Sequence, residues 1–463
     1  MVTIKSYNDL IKIGEDEQLR SKFIADAIEE HKSTARYRTA QNAELYYKHL
    51  NPTIMNYEKF IYDHIGNKVP DVWSANSKIA SNWYFYFVTQ AVQFLLANGV
   101  SFGDANTKAK LGDDFDQRVN ELATAAKNGG VAFGFWNYDH LEVFPLADSD
   151  DHPGFVPLYD DDDGELKAGI RYWQAGSNKP LRATLYEIDG WTDYAQQDKK
   201  PMRAIDEKKS YTIVGRSSAF DGETVEPGEN YPELPIIPLF NINRQSELVG
   251  NRGTLDAYDL MQSGLVNNIC ESEFVYWILK NSGGMSEVDD TEFIKRLKLT
   301  HVAHVDSDDG GNAEPHEVNV PYEASTVSLK SLEQQLFNDF MALKVTDIAA
   351  GNVTATQIQA AYEPIAQKTD LFENQVTLFI MRLLRLIGID DKPTYTRSKI
   401  VNVESDINTI LTAAPYLTDE YVTEKILTLL GDADMIDTVL QQKAREQANR
   451  FTLTGGEDDN ENA

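Results

Sequence analysis

The fold is decided by one stretch of the chain, residues 234–271, which reads LPIIPLFNINRQSELVGNRGTLDAYDLMQSGLVNNICE. Its first part is apolar and contains Pro235 and Pro238, which predicts an extended segment. From Thr254 the chain continues to Lys280 with one glycine as its only breaker, which predicts a helix about 40 Å long at 1.5 Å per residue. The sequence therefore predicts a change from extended chain to one long helix, 254–280.

Upstream of this stretch the sequence predicts helices followed by a β-rich region. Residues 15–47, 71–98 and 111–127 read as helices, and a Gly-Gly pair after the third is typical of a helix C-terminus. Residues 130–216 contain short β-branched and aromatic runs separated by turn clusters, which predicts a mainly antiparallel β-region. The acidic run 160–164 is predicted to be a solvated hairpin turn.

Downstream, the sequence predicts a small module between long helices. Residues 281–324 mix helical and strand-like runs, and a second long helix is predicted over 325–348. The segment Thr354-Ala-Thr-Gln357 fits the capping-box pattern, which predicts that a third long helix begins there. Residues 404–448 predict two or three short helices, with caps at Ser405 and Thr418.

The chain is strongly acidic. It has 463 residues, with 43 Lys plus Arg against 73 Asp plus Glu, so its formal net charge is −30. Tight nucleic-acid binders neutralise phosphates with Lys and Arg, so this charge argues against a free-standing nucleic-acid binder but not against a protein that holds DNA loosely. The apolar content is sufficient for a large core, which excludes global disorder. The acidic tail, 449–463, is predicted to be disordered.

Cysteine content and terminal sequence also restrict the class of protein. The single cysteine, Cys270, permits no intrachain disulfide and no cysteine-based zinc site, and it favours a reducing compartment. The N-terminus has no basic region followed by an apolar one, so we expect no signal peptide. The most apolar stretch, 83–100, contains several polar residues and is predicted to be a buried helix and not a membrane span.

Motifs for catalysis and metal binding are absent or incomplete. The sequence contains no GxxxxGK[ST], GxSxG or HExxH, and no carboxylate pair stands out. His301 and His304 face opposite sides of a predicted strand, which argues against a shared metal ion. Residues 306–317 match an EF-hand loop at Asp306, Asp308 and Glu317, with glycine at its sixth position, but Gly310 stands where a ligand is expected. An acidic turn is the alternative to calcium there. We predict no catalysis and no cofactor.

The order of these elements resembles that of the portal (head–tail connector) proteins of tailed bacteriophages, in particular the branch typical of siphophages of Gram-positive hosts. The segments that carry the resemblance are NSKIASNWYFYFVTQAVQFLLANGVSF (76–102), LYDDDDGELKAGIRYW (158–173), the stretch 234–271 and GNVTATQIQ (351–359). In the last segment, Gln357 replaces a glutamate that family members often have. Residues of the third segment that fall at the family's spacing are Pro235, Pro238, Asn241, Asp256, Asp259 and Ser263.

The resemblance implies an α+β portal fold that assembles as a ring. The implied parts are a wing (1–253, β-rich over 130–216), a first stem helix (254–280), a clip (281–324), a second stem helix (325–348), a tunnel loop (349–356), a wing-crossing helix and return (357–403), a crown (404–448) and the acidic tail (449–463). The first stem helix has apolar residues on several faces. We expect them to pack against a neighbouring subunit, with ordinary core packing as the alternative.

The resemblance also implies a function. Portal proteins form rings, usually of twelve subunits, at one capsid vertex, and double-stranded DNA is packaged and ejected through the ring. The implied partners are further copies of the chain, DNA, the large terminase subunit, the head-completion adaptor, and the major capsid and scaffolding proteins, with no membrane. The implied location is the capsid portal vertex of the virion, after assembly in the host bacterial cytoplasm.

Three sets of site residues follow from the resemblance. A DNA-facing tunnel loop would contain Ala349, Ala350, Gly351, Asn352, Val353, Thr354 and Ala355, although an ordinary interhelical turn is the alternative. Lys330 and Lys344 lie 14 residues apart on the predicted second stem helix and would share a face toward the channel; solvated or ion-paired lysines are the alternative. Clip residues of mixed charge, expected to contact terminase and adaptor, are Glu287, Asp289, Asp290, Lys295, Arg296 and Lys298.

Two other classes of function stay open on sequence alone. One is a different virion structural protein, although long helices flanking a 40-residue module argue against a shell protein. The other is a metal-dependent phage nuclease or hydrolase, which would require a carboxylate cluster that holds a divalent metal ion.

Overall fold

The computed structural model describes residues 5–62, 65–72, 74–176, 178–196, 201–212, 228–272, 276–280, 312–316, 322–349, 354–398, 403–430, 435–436 and 438–445. The chain divides into two compact units, residues 1–397 and 398–463. The first unit combines helices with antiparallel sheets, which confirms the predicted α+β class. None of the helices in these ranges is both long enough and apolar enough to cross a membrane.

The elements of the first unit follow each other in this order. They are α1 (Tyr7–Ile13), α2 (Glu17–Ser33), α3 (Ala35–Tyr47), α4 (Pro52–Met55), β1 (Phe60–Tyr62), β2 (Lys68–Pro70), α5 (Trp83–Leu96), β3 (Val100–Phe102), α6 (Ala105–Lys110), α7 (Phe115–Gly129), β4 (Val131–Asn137), β5 (His140–Pro145), β6 (Gly154–Tyr159), β7 (Leu166–Gln174), β8 (Leu181–Glu187), β9 (Gly190–Ala195), β10 (Arg203–Ala204), β11 (Ile236–Phe240), α8 (Arg252–Ser272), β12 (Tyr276–Lys280), β13 (Asn312–His316), α9 (Tyr322–Asp339), α10 (Val345–Ala349), α11 (Ala355–Leu386) and β14 (Pro393–Tyr395).

Two antiparallel sheets form the β-rich region. One sheet has the order β10-β9-β8-β7-β6 and the other has the order β11-β4-β5. The β6–β7 turn is the predicted acidic hairpin turn, and Gly164 there has a left-handed backbone with φ of 70°. The Asp161 carboxylate in this turn also accepts a hydrogen bond from Ser6, the N-cap of α1. The predicted antiparallel arrangement is confirmed.

Apolar clusters join these sheets to the helices. Leu10 and Ile24, from α1 and α2, pack on Val156 and Ile170 of the five-stranded sheet. A second cluster lies between the two sheets and is dominated by phenylalanines and tyrosines. A third surrounds the three-stranded sheet with α5, α7 and α11, and its central side chains, such as Phe379, are fully buried. Long helix α11 is thereby packed into the body along much of its length.

Two of the three N-terminal helix predictions need correction. The predicted helix 15–47 is two helices, because Thr34 has an extended backbone and caps α3 through a hydrogen bond from the Tyr37 N–H. The predicted helix 71–98 begins only at Trp83. Residues 74–82 instead lie extended along helix α8, whose side chains accept hydrogen bonds from their N–H groups. The third helix ends as predicted at Gly130, whose φ is 76°, and a Cβ there would approach the backbone of Gln245 to 2.9 Å.

The two long central helices are both shorter than predicted. Helix α8 ends at Ser272, and residues 276–280 form β12, which pairs antiparallel with β13. The apolar run at 276–279 therefore belongs to a strand and not to the apolar surface of the first stem helix. Helix α9 ends at Asp339 instead of residue 348, because the backbone turns at Met341, whose φ is 50°.

The second unit is helical in its described part. It contains α12 (Val403–Ala413) and α13 (Asp419–Leu430), and residues 438–445 are also helical. The predicted cap at Thr418 is confirmed, since its Oγ1 accepts from the Tyr421 N–H at 3.4 Å. The cap predicted at Ser405 is wrong, because α12 begins at Val403.

Candidate functional site

The part of the structure that corresponds to the predicted channel elements is the pair of helices α8 and α9 with the connection from α9 to α11. The bases of α8 and α9 pack on α3 and α5 around Leu255, Leu336 and Phe337. Beyond this base, α8 buries no apolar residue, and α9 buries none before Leu336. Within the described residues, the two helices are thus held by a core at one end only.

Helix α8 presents a ladder of polar side chains to an extended segment, residues 74–82, which we call the strap. Asp259, Ser263 and Asn267 lie four residues apart, so they share one face of α8, and all three are buried. They accept hydrogen bonds from the N–H groups of Ser81 at 3.1 Å, Ile79 at 3.0 Å and Ser77 at 2.7 Å, respectively. The helix thereby binds every second N–H of the strap from Ser77 to Ser81.

The same face of α8 continues beyond the ladder in both directions. One step before it, Leu255 is buried in the helical core, and one step after it, Glu271 pairs with Lys59 at 3.2 Å. Asp259 also accepts from the Asn51 Nδ2 at 2.7 Å. Burial raises the pKa of Asp259, although hydrogen bonds from Ser81 and Asn51 oppose this effect. Along its length, one face of α8 therefore contacts first the helical core, then the strap and finally Lys59 beside the β1–β2 hairpin.

The end of α9 is fixed by a Schellman motif and by a clamp from α5. The Ala342 N–H donates to the Phe337 carbonyl at 2.9 Å, and the Met341 N–H donates to the Asn338 carbonyl at 3.1 Å. The Gln90 side chain then accepts from the Leu343 N–H and donates to the Leu343 carbonyl, each at 2.9 Å. Hydrogen bonds therefore fix the backbone turn between Phe337 and Leu343.

Two lysines and one glutamate form a buried ion triad behind this turn. Glu247 precedes α8, Lys127 lies on α7 and Lys368 lies on α11, and the Glu247 carboxylate is 3.1 Å from Lys127 Nζ and 2.8 Å from Lys368 Nζ. Lys368 also donates to the Phe340 carbonyl at 2.9 Å, and Lys127 Nζ lies 4.1 Å from the centre of the Phe372 ring. The triad joins the start of α8, the end of α9 and the middle of α11.

Burial and the attraction between opposite charges shift the pKa values of the triad in opposite directions. Burial lowers the pKa of Lys127 to about 8, and the nearby charge of Lys368 adds to this effect, although Glu247 opposes it. Burial also acts to raise the pKa of Glu247, but the charges of Lys127 and Lys368 hold it at about 2. Because two cations share one anion, the triad has one excess positive charge below pH 8.

The predicted tunnel loop is described only at its two ends. Ala349 ends the short helix α10, and residues 350–353, including Ala350, Gly351, Asn352 and Val353, lie outside the described residues. Thr354 begins α11 with the predicted capping box: its Oγ1 accepts from the Gln357 N–H at 3.3 Å, and the Thr354 N–H donates to the Gln357 side chain at 2.9 Å. The helix start predicted from Thr354 and Gln357 is confirmed.

The two candidate channel lysines do not share a helix. Lys330 is exposed on α9, whereas Lys344 lies beyond the Met341 turn. Lys344 pairs with Glu333 at 3.3 Å and lies over the Phe337 ring. The prediction of a common face is therefore wrong, and the ion-paired alternative holds for Lys344.

The other predicted site residues lie outside the described residues. These are the clip residues Glu287, Asp289, Asp290, Lys295, Arg296 and Lys298, the calcium candidates Asp306, Asp308 and Glu317, and the pair His301 and His304. In the described parts of the chain, no three His, Cys, Asp or Glu residues are arranged to hold a metal ion.

Sequence reasoning missed Gln90, Lys127, Glu247 and Lys368. The partner of each residue is more than 100 residues away in the chain, so no local pattern marks it. The ladder did leave a signal, because Asp259, Ser263 and Asn267 recur every four residues on a helix. That spacing predicts a polar face with a buried partner.

Comparison with known proteins identifies the family of the chain. The curated portal protein of Clostridium phage phiCD119 is 24% identical over 395 residues, covering 76% of this chain and 84% of that protein. The portal protein of Bacillus phage SPP1 is 21% identical over 447 residues, covering 86% and 83%.

Solved structures that match part of the chain include the neck of a native gene transfer agent particle computed with C12 symmetry. It has a TM-score of 0.43 and 11% identity, and the match covers 75% of this chain and 90% of that one. An HK97 family phage portal protein from Corynebacterium diphtheriae matches with a TM-score of 0.30 and 11% identity, covering 67% and 89%. The family model described as "Phage portal protein, SPP1 Gp6-like" matches residues 26–448. The predicted resemblance is thus confirmed, and the chain belongs to the SPP1 Gp6-like family of phage portal proteins.

Proposed function

We propose that this chain is the portal vertex protein of a tailed phage, and that its copies form a ring through which double-stranded DNA enters and leaves the capsid. The observation that supports this most strongly is family membership over residues 26–448. Phage portal proteins are structural components of the virion, and we propose no catalytic activity for this chain. Assembly of the ring would take place in the host cytoplasm, with the major capsid and scaffolding proteins as partners.

The charge of the chain supports a channel that holds DNA loosely. A ring of about twelve copies at −30 each would have a net charge of about −360. Such a ring repels phosphates, whereas tight DNA binding requires many lysine and arginine contacts. DNA could then slide without stopping at a strong site.

Residues 349–356 are proposed as the loop that faces the DNA. Their side chains are small and uncharged, so they can approach DNA without a strong attraction to phosphate. The described flanks support this role, because the Gln90 clamp fixes Leu343 on one side and the capping box fixes Thr354 on the other. Movement would then be confined to the segment between two anchored positions.

Residues 281–324 are proposed as the clip, which would dock the large terminase subunit and the head-completion adaptor. The sequence there mixes acidic and basic residues, which suits partners that exchange. The antiparallel pairing of Lys280 with Asn312 supports a compact module, because the two ends of the intervening chain lie side by side.

The first experiment tests the ring. Negative-stain microscopy and light scattering of the purified chain should show rings with a central hole. A mass that stays monomeric across concentration and salt would contradict the proposal. A compact monomer with metal-dependent nuclease activity would support the nuclease alternative instead.

The second experiment tests the loop. Gly351→Pro or Asn352→Pro should leave rings intact but reduce DNA packaging, because proline stiffens the backbone without touching the ring contacts. The control is Gln359→Ala, on the exposed surface of α11 outside the proposed loop, which should package normally. Normal packaging by intact Gly351→Pro rings would exclude the loop from this role.

The third experiment tests the clip. Because Lys280 and Asn312 are register partners, residues 281–311 can be replaced by Asn-Gly, which closes a two-residue hairpin. We expect this variant to fold and to lose binding of adaptor and terminase. Undiminished adaptor binding would show that docking occurs elsewhere.

A further inference from the structure

The β1–β2 hairpin and the residues beside it expose an unusual concentration of apolar side chains. Six of the large exposed apolar residues lie within 18 residues: Met55, Tyr57, Phe60, Tyr62, Ile65 and Val72. In the described parts of the chain between Met55 and Trp83, no residue is buried. We call residues 55–72 the arm.

The arm has one face toward the body and one face toward solvent. Strand partners Phe60 with Pro70 and Tyr62 with Lys68 share the exposed face, while Ile61 and Val69 are half-buried on the other. Lys68 Nζ lies 3.7 Å from the centre of the Phe60 ring, so even the cation on this face covers an aromatic surface. The outer face is therefore aromatic and largely apolar.

Polar contacts, and not a core, hold the arm to the rest of the chain. Its root is the strap, bound by the Asp259, Ser263 and Asn267 ladder, and Lys59 pairs with Glu271. A lone two-stranded hairpin is marginally stable in water. The arm is thus positioned firmly on α8 but lacks the apolar burial that would stabilise its own hairpin.

The charge balance of the arm indicates which partner covers it. The arm itself, residues 55–72, has two lysines and three acidic residues, and with the strap, residues 55–82, three lysines balance three acidic residues, so arm and strap together have no net charge in a chain of −30. Copies of the chain repel each other wherever acidic surfaces meet, and they can approach most closely where charge is balanced and surface is apolar. DNA is not favoured, because the arm has no excess of cations.

We propose that the arm is an intersubunit clasp, and that its exposed face, centred on Phe60, Tyr62 and Val72, packs against a second copy of this chain. This inference rests on the proposed ring and names one of its contacts. Because the ladder fixes the strap on α8, the clasp would link the neighbouring subunit to the first of the two central helices.

The test compares two triple variants. The arm variant is Phe60→Ser, Tyr62→Ser, Val72→Ser, and the control variant is Ile11→Ser, Leu19→Ser, Ile188→Ser, which removes three other exposed apolar side chains. All six positions are exposed, so both variants should keep the wild-type circular dichroism spectrum. We expect the arm variant to need at least tenfold higher protein concentration for ring assembly, as measured by light scattering, and the control variant to assemble as wild type does.

A second measurement identifies the partner directly and does not depend on the folding of the triple variant. A benzophenone amino acid at position 62 should cross-link one copy to another, and mass spectrometry should locate the adduct on this chain. Cross-links only to other proteins, or equal assembly of the arm and control variants, would overturn the clasp and leave the ring intact. A wild-type chain that never assembles would overturn both the ring and the clasp.

Discussion

The Gln90 side chain forms two hydrogen bonds with the backbone of Leu343, accepting from its N–H and donating to its carbonyl oxygen. Gln90 lies on α5 in the body of the protein, and Leu343 lies between α9 and the proposed channel loop. The carboxamide therefore satisfies both polar groups of a buried backbone position, as a neighbouring strand would.

Gln90→Leu should weaken this anchor. The Leu343 N–H would lose its partner, and the Leu343 carbonyl would keep only the long hydrogen bond from the Tyr86 hydroxyl at 3.5 Å, so the expected cost is about 1–3 kcal/mol. We expect faster amide hydrogen exchange at Leu343 and a lower free energy of unfolding. Gln93→Leu is the matched control, since Gln93 is exposed on the same helix and bonds the Asn120 side chain at the surface. Equal exchange in the two variants would show that Gln90 does not anchor this turn.

Removing the anion of the triad should lower the free energy of unfolding, whereas removing one cation should leave it nearly unchanged or raise it. Glu247→Gln leaves Lys127 and Lys368 buried without an opposite charge, and breaking such a network costs roughly 3–5 kcal/mol. Lys127→Met removes the excess charge and places an apolar side chain next to the Phe372 ring in place of the ammonium, so it should change the free energy of unfolding by less than about 1 kcal/mol or increase it. Chemical unfolding measures both. Equal losses would contradict the excess-charge description.

The triad also predicts a pH dependence. The pKa of Lys127 is lowered from 10.5 to about 8 in the folded chain, so between these values the unfolded chain holds more protons. The free energy of unfolding should therefore rise with pH across that window, relative to Lys127→Met, because the penalty for burying a charged lysine is relieved. One pKa unit corresponds to about 1.4 kcal/mol, so the rise is a few kcal/mol at most. Parallel pH curves for the two proteins would exclude this effect.

Thr354→Val should loosen the start of α11. It removes the hydroxyl that caps the Gln357 N–H, and loss of an N-cap typically costs about 1 kcal/mol. Faster amide exchange at Gln357 and Ile358 is the expected result. Thr356→Val makes the same chemical change two residues later, on an exposed helical position, and should leave these amides protected. If both variants exchange alike, the cap does not define the helix start.

Sequence reasoning succeeded where a residue type marks a backbone conformation, and it failed where none does. The ends of helices α11 and α9 show the difference. Helix α11 ends in a Schellman motif with Gly388 at a φ of 74°, and glycine is the expected residue there. Helix α9 ends in the same motif, but its left-handed residue is Met341. A methionine continues a helical pattern, so the sequence predicted continuation to residue 348.

Long-range pairing explains the other differences. The strap has polar and small residues that are compatible with a helix, and it is extended because α8 binds its N–H groups. Residues 276–280 continue the apolar pattern of α8, and they form a strand because residues 312–316 pair with them. In both segments the partner is distant in sequence, so local propensity could not decide the conformation. The start of α11 was predicted correctly, because Thr354 and Gln357 form a local capping motif.

The hydrogen-bond ladder joins two backbones, α8 and the strap, that advance by different distances per repeat. Four residues of helix advance about 6.0 Å and two extended residues advance about 6.6 Å, so each rung adds a mismatch of about 0.6 Å. Three hydrogen bonds tolerate this difference. A fourth would pair Glu271 with the Ala75 N–H, and by then the two backbones would be out of step by about 1.8 Å relative to the first hydrogen bond. Glu271 instead reaches Lys59 of the hairpin. The mismatch in rise therefore limits the number of hydrogen bonds that can stay in step, and in this structure the ladder ends at Asn267.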